Sequence, residues 1–216
     1  DDVMDRASIR RGKPTVCAKW GDTAAILSGD TMLVLAYEFF SHVPAGKLPE
    51  MLALFTETAK EIGDGQQYDL GFEKRNDVKE EEYLEMIRLK TSVLLAASLK
   101  LGGMLAGAPE EDLKNLYAYG ETMGVAFQLQ DDLLDVYADQ SLFGKKIGGD
   151  ICCNKKTFLL ITAMNLASPE QLAEMKEWME KEEFDENEKI AYFTGIYNAL
   201  GVKEICENRI QALFAK

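Results

Sequence analysis

The stretch GVAFQLQDDLLDVYAD, residues 124–139, decides how the rest of this 216-residue chain is interpreted. An apolar stripe runs into it at helical spacing: Leu116, Met123, Phe127 and Leu134. Asp131 falls on the same stripe, and a carboxylate on a buried face is costly unless a cation neutralises it. The stretch therefore predicts a helix near 110–139 that turns an aspartate toward a cation.

The DDxxD spacing of this stretch occurs twice in the chain. The two sets are Asp1, Asp2 and Asp5, and Asp131, Asp132 and Asp135. On a helix, the first and last aspartates of each set share one face. Mg2+ prefers carboxylate oxygens and fills its remaining positions with water and substrate phosphates. Two opposed acidic faces would clamp a diphosphate through bridging Mg2+ ions.

Two simpler interpretations of these aspartates are a solvated helix face and a calcium-binding loop. A single DDxxD on a helix is most often a solvated face, but a second copy, on an apolar stripe, favours metal binding. A calcium loop needs oxygen ligands at positions 1, 3 and 5 and a glycine at position 6. Val3, Arg6 and Gly12 break that pattern.

Basic residues follow the acidic motifs. Arg10 and Arg11 lie just beyond the first set, and an arginine fork matches phosphate oxygens. They suggest that a second phosphorylated substrate binds beside the first. Lys90 with Thr91, Lys145 and Lys155 are not specific alone and gain meaning only beside the aspartates.

The rest of the chain favours an all-α fold, because helical periodicity recurs between glycine-containing breaks. Asp77, Ser168 and Asp185 each match the start of a capping box. Helices are predicted near 22–42, 48–63, 78–105, 110–139, 155–166, 169–182, 186–199 and 202–214. No linker divides residues 1–216, so we expect a single domain. Because the chain opens inside a motif and without Met, we also expect an upstream segment.

Composition excludes several function classes. The formal net charge of -13 argues against nucleic-acid binding. The single histidine, His42, argues against a zinc site, which needs several ligands, and against a histidine-dependent hydrolase. The cysteines lack paired spacing, and the apolar runs fall short of a membrane span, so we expect a cytoplasmic protein without a transmembrane segment.

The ordered motifs resemble those of the trans-isoprenyl diphosphate synthase (polyprenyl synthetase) family across essentially the whole chain. They read DDVMD, RRGKPT, GDGQQYDL, LKTS, FQLQDDLLD, GKKIGGD and NKKT. The resemblance implies the isoprenoid synthase fold, an antiparallel helical bundle around a deep cavity in which the two aspartate motifs face each other. The family's upstream helices, with their Gly-Lys-Arg segment, are not visible in this sequence.

The resemblance also implies a role for each matching residue. The six aspartates, Asp1, Asp2, Asp5, Asp131, Asp132 and Asp135, would hold Mg2+ against the allylic diphosphate. Arg10 would grip that diphosphate, Arg11 would grip isopentenyl diphosphate, and Gln66 would lie on the wall of the site with Asp69. Lys90, Lys145 and Lys155 would surround the leaving diphosphate, while Thr91 and Gln128 would face the developing allylic cation.

The implied activity is Mg2+-dependent condensation of an allylic diphosphate with isopentenyl diphosphate, giving farnesyl or geranylgeranyl diphosphate. A longer polyprenyl product remains open. A class I terpene cyclase is disfavoured by the second DDxxD, and a noncatalytic regulatory subunit by the presence of both motifs. Resemblance to the family further suggests a homodimer.

Overall fold

The computed structural model describes residues 2–138 and 147–215, and they form a helical bundle, which confirms the predicted all-α class. The helices in chain order are α1 (Val16–Trp20), α2 (Asp22–Glu38), α3 (Leu48–Phe72), α4 (Glu80–Ile87), α5 (Val93–Ala106), α6 (Glu110–Tyr137), α7 (Gly149–Cys152), α8 (Phe158–Leu166), α9 (Pro169–Glu180), α10 (Glu186–Ala199) and α11 (Val202–Phe214). Two short strands, β1 (Ile9–Arg10) and β2 (Lys13–Pro14), pair antiparallel before α1.

Two of the three predicted helix caps are confirmed. The Ser168 hydroxyl accepts from Gln171 N at 3.2 Å at the start of α9, and Asp185 Oδ1 accepts from Glu188 N at 3.0 Å at the start of α10. The prediction for Asp77 was wrong, because α4 begins later, with Lys79 N donating to Glu82 Oε2 at 3.0 Å. The Asp77 carboxylate instead pairs with Arg75 Nε at 2.8 Å, which holds it in the preceding loop.

Helix α3 is longer than predicted. The predicted helix ended near residue 63, yet α3 continues through Gly63 and Gly65 to Phe72. Gly65 is needed inside the helix, because a methyl group there would overlap the backbone nitrogen of Lys90. Packing therefore overrides the weak helix propensity of glycine, and the extra turns carry Gln66 and Asp69.

Helix α6 runs through the centre of the bundle and packs against α5 and α11. A Cβ atom on Gly124 would lie 2.5 Å from the Cα of Ser92, so glycine permits the close approach of the neighbouring backbone. Leu129 and Leu133 are buried on the same helix. The core continues through α8, α9, α10 and α11.

The apolar stripe predicted to be the buried face of α6 is in fact its more exposed face. Phe127 is 60% exposed and Leu134 is 36% exposed, whereas Asp132 and Asp135 are buried. The prediction that Asp131 lies on the buried face was therefore wrong, because Asp131 is only partly buried. Spacing identifies an apolar stripe, but it does not tell whether that stripe meets the core or an open space.

A five-residue π-helical turn, Arg88–Ser92, joins α4 to α5, so Glu80–Ala106 forms one irregular helix. A π turn inserts one extra residue per turn and changes where the following side chains point. This turn carries Lys90 and Thr91, the two candidate site residues of the LKTS motif.

Helix α2 has no buried residue. Its exposed apolar side chains include Met32 at 70% and Val34 at 67%. By length and composition alone, Asp22–His42 and Glu80–Ala106 could each cross a membrane, although a third of the second segment is buried in the bundle. The expected absence of a transmembrane segment therefore stays a prediction.

Candidate active site

A chain of hydrogen bonds ends on the buried carboxylate of Asp132. The Tyr83 hydroxyl donates to Asp132 Oδ2 at 2.5 Å, and Gln128 Nε2 donates to Oδ1 at 3.0 Å. The Thr91 hydroxyl in turn donates to Gln128 Oε1 at 3.1 Å. Thr91 and Gln128, predicted from separate motifs, are therefore brought into contact.

The charged form of the Asp132 carboxylate is electrostatically unfavourable at this position. Burial, together with repulsion from Asp150, raises the pKa of Asp132 to about 7, while the bonds from Tyr83 and Gln128 favour the charged form. A nearby cation would relieve both the burial of the charge and the repulsion.

Asp135 connects the second aspartate motif to the segment that follows α6. Its Oδ2 accepts from Asp150 N at 3.1 Å, and its backbone oxygen accepts from Gly148 N at 2.7 Å. Asp150 is thus fixed beside the DDxxD motif as an additional acidic residue.

Residues 2–5 of the first aspartate motif lie in turns, which corrects the expectation of a helix there. The Arg10 guanidinium pairs with Asp2 Oδ1 at 2.7 Å. That contact joins a predicted Mg2+ ligand to the arginine predicted to bind the allylic diphosphate. Asp1 and Lys145, two further predicted site residues, lie outside the described residues.

Lys155 joins the two acidic regions. Its Nζ lies 3.1 Å from Asp5 Oδ1, and its backbone nitrogen donates to the Asp150 carbonyl at 2.9 Å. Burial disfavours the charged form of Lys155, but the carboxylates of Asp150, Asp69 and Asp5 outweigh it and raise the pKa of this lysine. Lys155 is therefore a cation at neutral pH.

Lys90, on the π turn, and Gln66, on α3, lie on an adjacent side of the site. Lys90 Nζ donates to the buried Asp69 Oδ2 at 2.6 Å, which links the LKTS motif to α3. Gln66 Nε2 lies 3.2 Å from Met4 Sδ, so Gln66 contacts the first aspartate motif rather than an aspartate itself. Arg11 is exposed, with a left-handed backbone at φ 53°.

The donor set fits a hard cation, since the predicted ligands are carboxylates and one of them is buried against another acidic residue. Within residues 2–138 and 147–215, no three acidic, cysteine or histidine side chains converge closely enough to form a complete site. Mg2+ typically binds through one or two carboxylates plus substrate phosphates, so an incomplete protein cage is compatible with it.

Tyr83 and Asp150 were not predicted as site residues. Tyr83 lies seven residues before Lys90 on the same irregular helix, but Lys90 contacts α3 while Tyr83 contacts α6, so that spacing does not identify Tyr83. Asp150 lies within the GKKIGGD motif, in which the predicted site residue is Lys145. Nothing in the local sequence indicated that either residue would meet Asp132.

Comparisons with known proteins agree with this geometry. The family model described as polyprenyl synthetase matches residues 1–196. A geranylgeranyl diphosphate synthase of Methanosarcina mazei is 44% identical over 165 residues, which cover 76% of this chain and 51% of the relative. A short chain isoprenyl diphosphate synthase of Methanothermobacter thermautotrophicus is 41% identical, with 78% and 52% covered.

Solved structures give the same result for the fold. A crystal structure of a geranylgeranyl pyrophosphate synthase superposes with a TM-score of 0.92 at 39% identity, covering 99% of this chain and 66% of that one. A Corynebacterium glutamicum geranylgeranyl pyrophosphate synthase, complexed with isoprenyl diphosphate and magnesium, gives 0.89 at 32% identity, with 99% and 65% covered. The chain spans about half the length of the curated relatives it matches. It belongs to the polyprenyl synthetase family.

Proposed function

We propose that this protein is a Mg2+-dependent prenyltransferase that condenses an allylic diphosphate with isopentenyl diphosphate. The observation that carries the proposal is the position of Lys155, which contacts Asp5 of the first motif and the Asp150 backbone beside the second. The Asp150 carboxylate also raises the pKa of Lys155, so its ammonium lies near acidic groups of both regions. A diphosphate held between them would meet charged groups on both sides.

The aspartates would hold the metal, which supplies charge neutralisation for the departing diphosphate. Five of them lie in the described residues: Asp2, Asp5, Asp131, Asp132 and Asp135. Lys155 adds positive charge next to Asp5, and Lys90 adds positive charge beside Asp69. Preorganised charge of this kind stabilises a leaving group in a site with little water. Arg10 would exchange its contact with Asp2 for the substrate phosphate.

Thr91 and Gln128 would face the allylic carbon as it becomes cationic. Because the Thr91 hydroxyl donates its proton to Gln128, its oxygen lone pairs can turn toward the cation. These neutral dipoles stabilise a cation without bonding to it, whereas a free carboxylate could react with it as a nucleophile. The double bond of isopentenyl diphosphate attacks that carbon, and the released diphosphate accepts the proton lost afterwards.

A short-chain product, farnesyl or geranylgeranyl diphosphate, is proposed from the names of the relatives. The homodimer and the cytoplasmic location also stay proposals. The exposed apolar surface of α2 supports the homodimer, because a large exposed apolar patch marks an interaction surface.

The test is a product assay on the protein as its gene encodes it, with any residues that precede Asp1 retained. It is incubated with isopentenyl diphosphate and dimethylallyl, geranyl or farnesyl diphosphate, with Mg2+ or EDTA, and products are identified by mass spectrometry. We expect elongation in the presence of Mg2+ and no elongation in the presence of EDTA. Lys155→Ala should reduce turnover by at least about 100-fold, while Lys203→Ala, an exposed lysine on α11, should not. No elongation with any primer would refute the proposal.

A further inference from the structure

Lys189 on α10 is a lysine with no exposed surface. Its Nζ lies 2.7 Å from Asn154 Oδ1 and 3.5 Å from the Cys152 carbonyl, and it stands 4.1 Å from the centroid of the Phe184 ring. In the described part of the chain, these partners are neutral oxygens and a ring face. Burial lowers the pKa of Lys189. A buried ammonium of this kind is costly, so its contacts must be specific ones.

Asn154 receives that contact at a strained point of the backbone. It adopts the left-handed region at φ 54°, which asparagine tolerates better than most residues. Its Nδ2 donates to the Met179 carbonyl near the end of α9 at 2.9 Å, and its backbone oxygen accepts from Lys156 Nζ at 2.9 Å. One side chain therefore ties this turn to both α9 and α10.

The residue that follows this turn is Lys155. Its backbone nitrogen is fixed on Asp150, and its Nζ reaches Asp5. The direction in which Lys155 leaves the backbone depends on the dihedral angles of Asn154. A change of those angles would swing the ammonium away from the aspartate motifs.

We infer that Lys189 and Asn154 are positioning residues, which fix the turn so that Lys155 faces the diphosphate site. Lys189 stands outside the site and acts only through Asn154 and Lys155. This inference rests on the proposed function, because it assigns Lys155 to the binding of a diphosphate. It goes beyond that function because it predicts that Lys189, which lies outside the site, sets the orientation of Lys155.

The test combines Lys189→Met with Lys155→Ala. Methionine keeps an unbranched side chain of similar length and removes the donor. The readouts are binding of inorganic diphosphate with Mg2+ by calorimetry, and kcat and KM for both substrates. We expect Lys189→Met to weaken diphosphate binding on the order of 10-fold, as loss of an outer positioning partner does. In the Lys155→Ala background the same change should have no further effect.

Two further variants separate positioning from stability. Asn154→Gly keeps the left-handed backbone accessible, leaves α10 intact and removes both side-chain contacts, so it should weaken binding to a similar degree. Val202→Ala, a buried truncation on α11, should lower thermal stability without altering diphosphate affinity. If Lys189→Met or Asn154→Gly folds yet binds diphosphate like the unmodified protein, the inference is wrong.

The outcome also distinguishes this inference from the proposed function. Equal losses from Lys189→Met with and without Lys155 would overturn positioning through Lys155, while elongation by the unmodified protein would leave the proposed function standing. An unmodified protein that neither elongates nor binds diphosphate would overturn both.

Discussion

At the scale of single residues, Asp132 shows how neutral donors maintain a buried charge. Tyr83 and Gln128 donate to its two oxygens and oppose the effects of burial and of Asp150. These bonds favour the ionised form, which is the form that binds a metal. With a pKa of about 7, Asp132 stands near the middle of its titration at neutral pH.

Tyr83→Phe tests this account. The change removes one donor to the carboxylate, so the pKa of Asp132 should rise further above its usual value. A proton then competes with Mg2+ up to a higher pH. We expect the acidic limb of kcat/KM and of Mg2+ binding to move to higher pH by about one to two units, since a hydrogen bond to a charged group contributes about 1.5–3 kcal/mol.

The matched control is Tyr137→Phe on α6, the helix that carries Asp132. This change removes a hydroxyl that donates to Asn198 at 3.0 Å. Its acidic limb should coincide with that of the unmodified protein. An unchanged limb in Tyr83→Phe, or a limb moved to lower pH, would contradict the role given to Tyr83.

Some of these site residues could be predicted from the sequence and others could not. Asp132, Gln128 and Thr91 could be predicted because their motifs are specific in spacing and order. Tyr83 could not, because its role depends on α4 and α6 being packed side by side, and the local sequence carries no sign of that contact. The error over Asp131 has a similar origin, since the period of a helix gives its faces but not their neighbours.

At the scale of elements, the π turn Arg88–Ser92 sends two consecutive side chains to different partners. Lys90 reaches Asp69 on α3, and Thr91 reaches Gln128 on α6. Gly65 on α3 and Gly124 on α6 lie against the backbone of this turn, and neither position has room for a Cβ atom. The turn is therefore held between two helices that approach it closely.

Gly65→Ala should disturb the turn. Its methyl group would overlap backbone atoms of Leu89 and Lys90, which cannot rotate away as a flexible side chain can. We expect a loss of stability of about 1–3 kcal/mol, as for an overpacked core, and a marked loss of turnover, because Lys90 and Thr91 both shift. Denaturant unfolding and the elongation assay would measure these effects.

Gly63→Ala is the matched control two residues earlier on α3. A Cβ atom there meets nothing within 4 Å, so alanine should stabilise the helix by about 0.5–1 kcal/mol and leave turnover unchanged. If both alanine variants behave alike, close packing at Gly65 is not what maintains the π turn. The sequence placed both glycines in one motif and gave no means of telling them apart.

At the scale of the whole molecule, burial is uneven. The cluster of buried core residues extends from Phe72 to Ile210, while α2 contributes no buried residue. Near the end of α2, the Tyr37 ring contacts the Phe55 ring of α3 at 5.0 Å. The remainder exposes large apolar side chains, among them Ile26, Leu27, Met32 and Val34. The helix itself was predicted from its periodicity, but the exposure of its apolar side chains within the described residues was not, since composition does not reveal what covers an apolar face.

Met32→Glu tests whether a second copy of the chain covers α2. A carboxylate at this position is solvated in a free chain but would be buried without a partner in a dimer interface, at a cost of several kcal/mol. We therefore expect the unmodified protein to have twice the mass of one chain by size exclusion with light scattering, and Met32→Glu to have the mass of one chain. Leu166→Glu, an equally drastic change at a half-exposed position at the end of α8, should remain a dimer. A single-chain mass for the unmodified protein at micromolar concentration would contradict the homodimer, as would a dimer that Met32→Glu leaves intact. In the latter case the apolar face of α2 would have to be covered by something other than a second copy.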